Sequence, residues 1–198
     1  AGLRGGGQAE IPLFQFWGCD VDPLTPFSYI RKQSGSCEDF IRKRGIDRMQ
    51  DHQEMEAILY GIESDENVQQ MKRYKQHGSV STYEHCKNVA RMSYRINRYL
   101  ALHSDLEVLL TGAMLHDLFL YDWHRKGDGS HRFHGFRHAN VACKNAQMLF
   151  HIDDKTSHVI YCHMWPLNPG RVPMSREAWI VCIADKLVSL QETLFQRH

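Results

Sequence analysis

The sequence predicts an all-α protein, a bundle of about six to seven helices with an irregular amino-terminal arm. From Met55 onward, apolar residues recur every three to four positions, which is the period of a helix with one buried face. No segment of any length alternates apolar and polar residues as a half-buried strand requires. The chain has 198 residues, of which 42% are hydrophobic, so it can form one substantial core and does not need two.

The predicted arm comprises residues 1–48. It contains the run Gly5–Gly7 and three prolines, Pro12, Pro23 and Pro26, and it shows no sustained hydrophobic period. We therefore expect an irregular or partly disordered segment over residues 1–48, followed by a helical domain over residues 49–198.

Seven segments of the helical domain have helical periods. Their approximate bounds are 51–61, 64–76, 81–103, 105–120, 136–151, 153–164 and 175–195. Ser81, followed three residues later by Glu84, has the pattern of a capping box, and Ser104 and Ser175 stand before two further helix starts.

Two breaks interrupt these helices. Residues 121–135 are polar and contain glycines, which is typical of a loop over a site. Residues 165–173 contain Pro166, Pro169 and Pro173, so one helix is expected to end sharply before the last begins.

The charges nearly cancel, with 24 Lys and Arg against 23 Asp and Glu and a formal net charge of +1. No global field is present to attract nucleic acid or an anionic membrane, so neither is an expected partner. The longest apolar stretch, Val108 to Tyr121, is interrupted by polar residues and is shorter than the ~20 residues that a membrane span requires.

The amino end and the cysteines favour a cytoplasmic location. The first residues have a single early Arg and no uninterrupted apolar core, unlike a secretory signal. The six cysteines form no C-x-x-C pair, and buried free thiols of a reducing compartment explain them best. They are Cys19, Cys37, Cys86, Cys143, Cys162 and Cys182.

Thirteen histidines are an unusual number, and imidazole is the commonest metal ligand in proteins. His85 lies on the apolar stripe of the predicted helix at 81–103. His116 and Asp117 lie on the inward face of the next predicted helix, and Asp185 lies on an apolar stripe of the last one.

Two carboxylates on inward faces need partners, because burying an unpaired ionised carboxylate is costly. No Arg or Lys shares these stripes, whereas histidines do. His with Asp is a ligand mixture that borderline divalent metals accept. The sequence therefore predicts a site for a divalent metal ion.

The order His85, His116-Asp117 and Asp185 resembles the H…HD…D motif of the HD superfamily of metal-dependent phosphohydrolases. The separations are 31 and 68 residues, and the local sequences EHCKNVA, GAMLHDL and IADKLVS have the texture of the family. The resemblance extends over about residues 76–196. It implies a helical fold and the hydrolysis of a phosphomonoester, a phosphodiester or a nucleotide by metal-activated water, with Asp117 as the catalytic carboxylate.

Some members of this superfamily hold a second metal through extra histidines, for which His138 and His163 are the inward-facing candidates here. The cyclic-dinucleotide phosphodiesterases called HD-GYP are similar in this respect. Their GYP stretch and the Lys after their doublet are absent from this chain, so only the metal geometry is carried over. The resemblance implies one or two divalent ions per chain, drawn from Mn, Fe, Co, Ni, Zn or Mg.

Three further residues are candidates for substrate contacts. Arg137 and Lys186 are basic and adjoin predicted ligands in sequence, and His134 lies near His138 across Gly135. His134 fits a phosphate contact or proton donor and equally an exposed loop residue. The expected partner is a small phosphorylated substrate such as a nucleotide, and the oligomeric state is open.

Two other functions stay open at this point. A minority of the superfamily uses two irons in a mixed His/Asp site to activate oxygen, so a di-iron oxygenase is one alternative. The other is a non-catalytic sensor or scaffold in which the ion only stabilises the fold.

Overall fold

The computed structural model describes residues 52–122 and 134–195. Within these ranges the chain forms seven α-helices and one two-stranded sheet, which confirms the all-α class. The arm predicted over residues 1–48 and most of the loop predicted over residues 121–135 lie outside the described ranges, and the division at residue 49 stays a prediction.

The seven predicted helices are all present, although several bounds differ. The elements in chain order are α1 (52–63), α2 (Glu66–Gln70), a 3₁₀ helix (Met71–Arg73), β1 (Lys75–His77), β2 (Val80–Ser81), α3 (Thr82–Tyr99), α4 (Leu106–Leu115), α5 (His134–Phe150), α6 (Asp154–Cys162) and α7 (Arg176–Phe195).

The sheet was not predicted, and the helix predicted over 64–76 is wrong in its second half. α2 ends at Gln70, and β1 pairs antiparallel with β2 in the register Lys75 to Ser81 and His77 to Val80. Strands of three and two residues are too short to produce a detectable alternation of apolar and polar positions.

The helix starts agree with the predicted caps in two of three cases. Ser81 forms the capping box with Glu84 at the start of α3, and the Ser175 hydroxyl accepts the Ala178 N–H at the start of α7. The cap of α4 is Asp105 instead of Ser104, and its carboxylate accepts the Val108 N–H. A charged acceptor also interacts favourably with the positive end of the helix dipole.

The helix predicted over 105–120 is too long at its carboxyl end. α4 stops at Leu115, and Leu120 adopts a positive φ of 54°, which no α-helix contains. His116 and Asp117 therefore lie at the end of α4 and just beyond it, not within the helix. Both remain buried, so the predicted inward direction of the two side chains is correct.

α4 lies at the centre of the bundle, in contact with α3, α5, α6 and α7. Gly112 allows the approach of α6, because a Cβ at this position would lie 2.6 Å from Val159 Cγ1. This close contact holds the end of α6 near the end of α4, where the candidate site lies.

Two further expectations concern membrane spans and cysteines. Within the described residues, no helix is long and apolar enough to cross a membrane. Four of the six cysteines are described, and all four are free and buried, as expected. They are Cys86, Cys143, Cys162 and Cys182.

Candidate metal centre

Six side chains predicted as metal ligands meet in the interior of the bundle. Each comes from the end or the face of one of five helices, and none exposes more than 8% of its surface. They are His85 from α3, His116 and Asp117 from the end of α4, His138 from α5, His163 from the end of α6 and Asp185 from α7.

Four of these residues form what we call the carboxylate-rich cluster: His85, His116, Asp117 and Asp185. His85 Nε2 lies 3.3 Å from Asp185 Oδ1. His116 Nε2 lies 3.5 Å from Asp117 Oδ2 and 3.8 Å from Asp185 Oδ1. One ligand atom each of His85, His116 and Asp117 lies within 4.8 Å of the others, so a single ion could contact all three.

The second group, which we call the histidine-rich cluster, consists of Asp117, His138 and His163. The two Nε2 atoms of the histidines are 3.0 Å apart. Asp117 Oδ1 lies 3.3 Å from His138 Nε2 and 3.6 Å from His163 Nε2. These three atoms also lie within 4.8 Å of one another. Asp117 thus belongs to both clusters, with a different oxygen facing each.

The tautomers of two histidines indicate that their Nε2 atoms carry lone pairs. His116 Nδ1 lies 2.8 Å from the Ala113 carbonyl, and His163 Nδ1 lies 2.7 Å from the Ile160 carbonyl. A carbonyl only accepts, so Nδ1 must carry the hydrogen in both rings, and in the neutral ring Nε2 has none. Ring nitrogens of this kind, oriented by a backbone carbonyl, are typical metal ligands.

The buried polar atoms of the site fit a cation. His116 Nε2 and Asp117 Oδ1 are fully buried and have no hydrogen-bond partner. Buried polar atoms without partners are costly, and here a lone pair faces a carboxylate oxygen. A divalent ion would satisfy both atoms, so the residues present fit the metal that the sequence predicts.

Glu192 is a site residue that the sequence reasoning missed. Its Oε2 lies 2.8 Å from His85 Nδ1, and its Oε1 accepts a hydrogen bond from Asn88 Nδ2 at 3.1 Å. Glu192 follows Asp185 by seven residues, two helical turns, and therefore lies on the same face of α7. That spacing was the signal that could have identified it.

Gln76 is the second missed residue. Its Nε2 donates to Asp117 Oδ2 at 2.5 Å, while its Oε1 is buried and has no hydrogen-bond partner. Gln76 lies on β1, and no pattern in the sequence predicts that strand. No local signal could therefore have placed this side chain at the site.

The pKa values differ sharply between the two clusters. Burial lowers the pKa of His85, but hydrogen bonds to Asp185 and Glu192 outweigh it and raise the value to about 10. Burial and the nearby His116 lower the pKa of His163 to about 3. Burial raises the pKa of Asp117, but the surrounding histidines, led by His116, lower it to about 2. The carboxylates are thus ionised, which metal ligation requires.

The structure shows different amounts about the three candidates for substrate contacts. Lys186 Nζ donates to the His163 carbonyl at 2.9 Å and lies 3.6 Å from Asp185 Oδ2, so this cation lies beside the predicted ligands. Arg137 is exposed on α5, next to His138. The side chain of His134 is outside the described part of the chain, and contacts of all three with a substrate stay predictions.

Comparison with known proteins identifies the family. Neither a curated protein nor a solved structure matches the chain. A family model described as the HD domain matches residues 82–190, which is more than half of the chain and contains all six predicted ligands. The match, the helical fold and the buried His/Asp clusters agree, and the chain therefore belongs to the HD domain family, a superfamily of metal-dependent, hydrolase-like proteins.

Proposed function

We propose that this chain is a metal-dependent phosphohydrolase that cleaves a small phosphorylated substrate, such as a nucleotide, with metal-activated water. One observation supports this function most directly: the Asp117 carboxylate presents Oδ2 to His116 and Oδ1 to both His138 and His163. A carboxylate shared between two cation sites is typical of two-metal hydrolases.

Each cluster would hold one divalent ion. The first would be bound by His85, His116 and Asp117, with Asp185 beside the two histidines as a fourth ligand, and the second by Asp117, His138 and His163. When bound, such ions polarise a phosphoryl oxygen and lower the pKa of water towards neutrality.

The chain's own residues supply orientation and the exclusion of bulk water. Asp117 is 2% exposed, so its oxygens act in a low-dielectric interior where electrostatic interactions are strong. Gln76 holds Asp117 through its Nε2 and so limits rotation of the carboxylate. Lys186, with its ammonium beside Asp185, is the described cation best placed to meet a substrate phosphate.

The test combines metal content with phosphate release. Elemental analysis of the full chain should find two ions in the wild type, one in His138→Ala and two in the control His52→Ala, whose ring is exposed on α1. Phosphate release from a panel of nucleotides and phosphomonoesters should be present in the wild type and in the control and absent in Asp117→Asn. A wild type that binds no metal, or that releases phosphate from no member of the panel, would refute the proposal.

The shared carboxylate also suits a di-iron centre, since carboxylate and imidazole are both iron ligands. Iron-dependent oxygen consumption without phosphate release would favour the oxygenase over the hydrolase. Metal binding that raises the melting temperature, with neither activity detectable, would leave a non-catalytic sensor or scaffold.

A further inference from the structure

A groove of about 400 Å³ lies between α3 and α7, and β2 contributes to its wall. We call it the α3–α7 groove. None of the six predicted metal ligands is among its described lining residues, so the groove adjoins the metal centre through Glu192 without containing its ligands. Its volume lies within the range of small-molecule pockets.

Two arginines of α3 give the groove a positive wall. Arg91 and Arg95 are four residues apart, so they lie one helical turn apart on the same face of α3. The Arg91 guanidinium is 3.9 Å from Glu56, and both side chains are nearly half exposed, so this ion pair leaves its charge available. Among the described residues, no acidic group forms an ion pair with Arg95.

The carboxylate in the groove wall does not neutralise these arginines. Glu192 is directed at His85, which lies 2.8 Å from its Oε2, and at Asn88, which donates to its Oε1. Both oxygens of Glu192 are held by His85 and Asn88, so Arg95 and the half-exposed Arg91 are the groups of the wall that can meet an anion. The groove is therefore suited to an anion.

The remainder of the wall contains apolar surface from Val80, Met92 and Val188. A ligand that combines an anionic group with an apolar body would use both parts of this wall. Guanidinium groups bind phosphate oxygens in pairs of parallel hydrogen bonds, and two adjacent arginines match one phosphate group well.

We propose that the α3–α7 groove binds a small phosphorylated molecule, with Arg91 and Arg95 holding the phosphate and the apolar wall holding the rest. This site is additional to the metal centre and does not depend on the function proposed for it. A ligand bound there would lie beside Glu192, the partner of the predicted ligand His85.

Binding of two probes to the full chain tests the proposal. Inorganic phosphate supplies the anion alone, and adenosine 5′-monophosphate adds an apolar base. Calorimetric titration is carried out after exhaustive chelation, so that a metal-bound phosphate does not contribute. Both probes should bind the wild type, the nucleotide more tightly, and Arg91→Gln/Arg95→Gln should weaken binding by about tenfold or more per arginine.

Two comparisons locate the binding. Lys144→Gln/Lys155→Gln removes two positive charges, as the arginine variant does, but from α5 and α6, which do not line the groove. This variant should bind both probes as the wild type does. Asp117→Asn, which alters the metal centre, should also retain binding. Circular dichroism checks that each variant is folded.

The proposal would be overturned if neither probe binds the chelated wild type. If Lys144→Gln/Lys155→Gln loses as much affinity as Arg91→Gln/Arg95→Gln does, the proposal is also overturned, because net charge alone would then explain the binding. Loss of binding in folded Asp117→Asn would assign the phosphate to the metal centre instead. Since no metal is present, absence of hydrolytic activity has no bearing on these results.

Discussion

The two clusters share Asp117 but differ in their balance of charge. In the carboxylate-rich cluster, His85 contacts both Asp185 and Glu192, and His116 faces two carboxylates. In the histidine-rich cluster, two rings whose Nε2 atoms are 3.0 Å apart face one oxygen of a shared carboxylate. One cluster has surplus acidic groups and the other has surplus imidazoles.

This difference determines where a proton is held when no metal is bound. The pKa of His85 is raised to about 10, so its imidazole is cationic at neutral pH and pairs with the surrounding carboxylates. The pKa of His163 is lowered to about 3, so its imidazole is neutral there. An ion entering the carboxylate-rich cluster must displace a proton, whereas the histidine-rich cluster is already deprotonated at His163.

The largest expected effect comes from the residue that the clusters share. Asp117→Asn should reduce metal binding at both clusters and lower phosphate release by about a thousandfold or more, as removal of a central catalytic group usually does. Asp185→Asn should weaken only the carboxylate-rich cluster, because the ion pairs of Asp185 within the described residues join it to His85, His116 and Lys186 and not to His138 or His163. Stepwise metal titration distinguishes the two variants. If Asp117→Asn still binds one ion with the affinity of the wild type, Asp117 is not a ligand of both clusters.

The next effect concerns the stability of the metal-free protein. His85→Ala leaves Asp185 and Glu192 without their cation and should cost about 3–5 kcal/mol in free energy of unfolding, as expected for a broken buried ion pair. His163→Ala removes a neutral ring and should cost roughly 1–3 kcal/mol. Urea unfolding in the presence of a chelator measures both values. Equal losses, or a larger loss in His163→Ala, would remove the distinction between the clusters.

Glu192→Gln tests how much Glu192 contributes to metal binding through its contact with the predicted ligand His85. The variant keeps the side-chain shape but removes the charge beside His85 Nδ1, so metal affinity at the carboxylate-rich cluster should fall about 10- to 100-fold. The histidine-rich cluster should keep its affinity. Glu177→Gln is a matched control, because Glu177 is a buried carboxylate of the same helix that contacts the Asp105 backbone. If both variants lose affinity equally, the role of Glu192 is structural.

The smallest effect concerns the contact between α4 and α6. Gly112→Ala should push Val159 away, at a cost of about 1–3 kcal/mol, and move His163 relative to Asp117. Metal affinity should fall more at the histidine-rich cluster than at the other. Gly61→Ala is the control, because nothing lies within 4 Å of its added Cβ, and it should be neutral or slightly stabilising. Unchanged affinity at both clusters in Gly112→Ala would show that α6 adjusts without moving His163.

The hydrophobic period predicted which segments are helical but not where the helices end. The period continues through residues 116–120 because the side chains of 116–119 are also buried and Leu120 is partly buried, although the backbone leaves the helix after Leu115. The β1–β2 sheet escaped prediction because pairing over so few residues depends on contacts with the rest of the fold and not on local sequence. The cap of α4 fell on Asp105, one residue from the predicted position, which is the usual uncertainty of helix ends.

The sequence by itself determined the all-α class and the set of six inward-facing His and Asp residues, because burial follows the helical period and buried carboxylates need partners. Only the tertiary structure decided how these residues are divided, with a different oxygen of Asp117 facing each cluster. It also added Gln76 and Glu192, whose contacts with Asp117 and His85 join residues 41 and 107 positions apart. The spacing from Asp185 places Glu192 on the same face of α7. The partners of Gln76 and Glu192 arise from the packing of separate elements, and no local pattern in the chain encodes them.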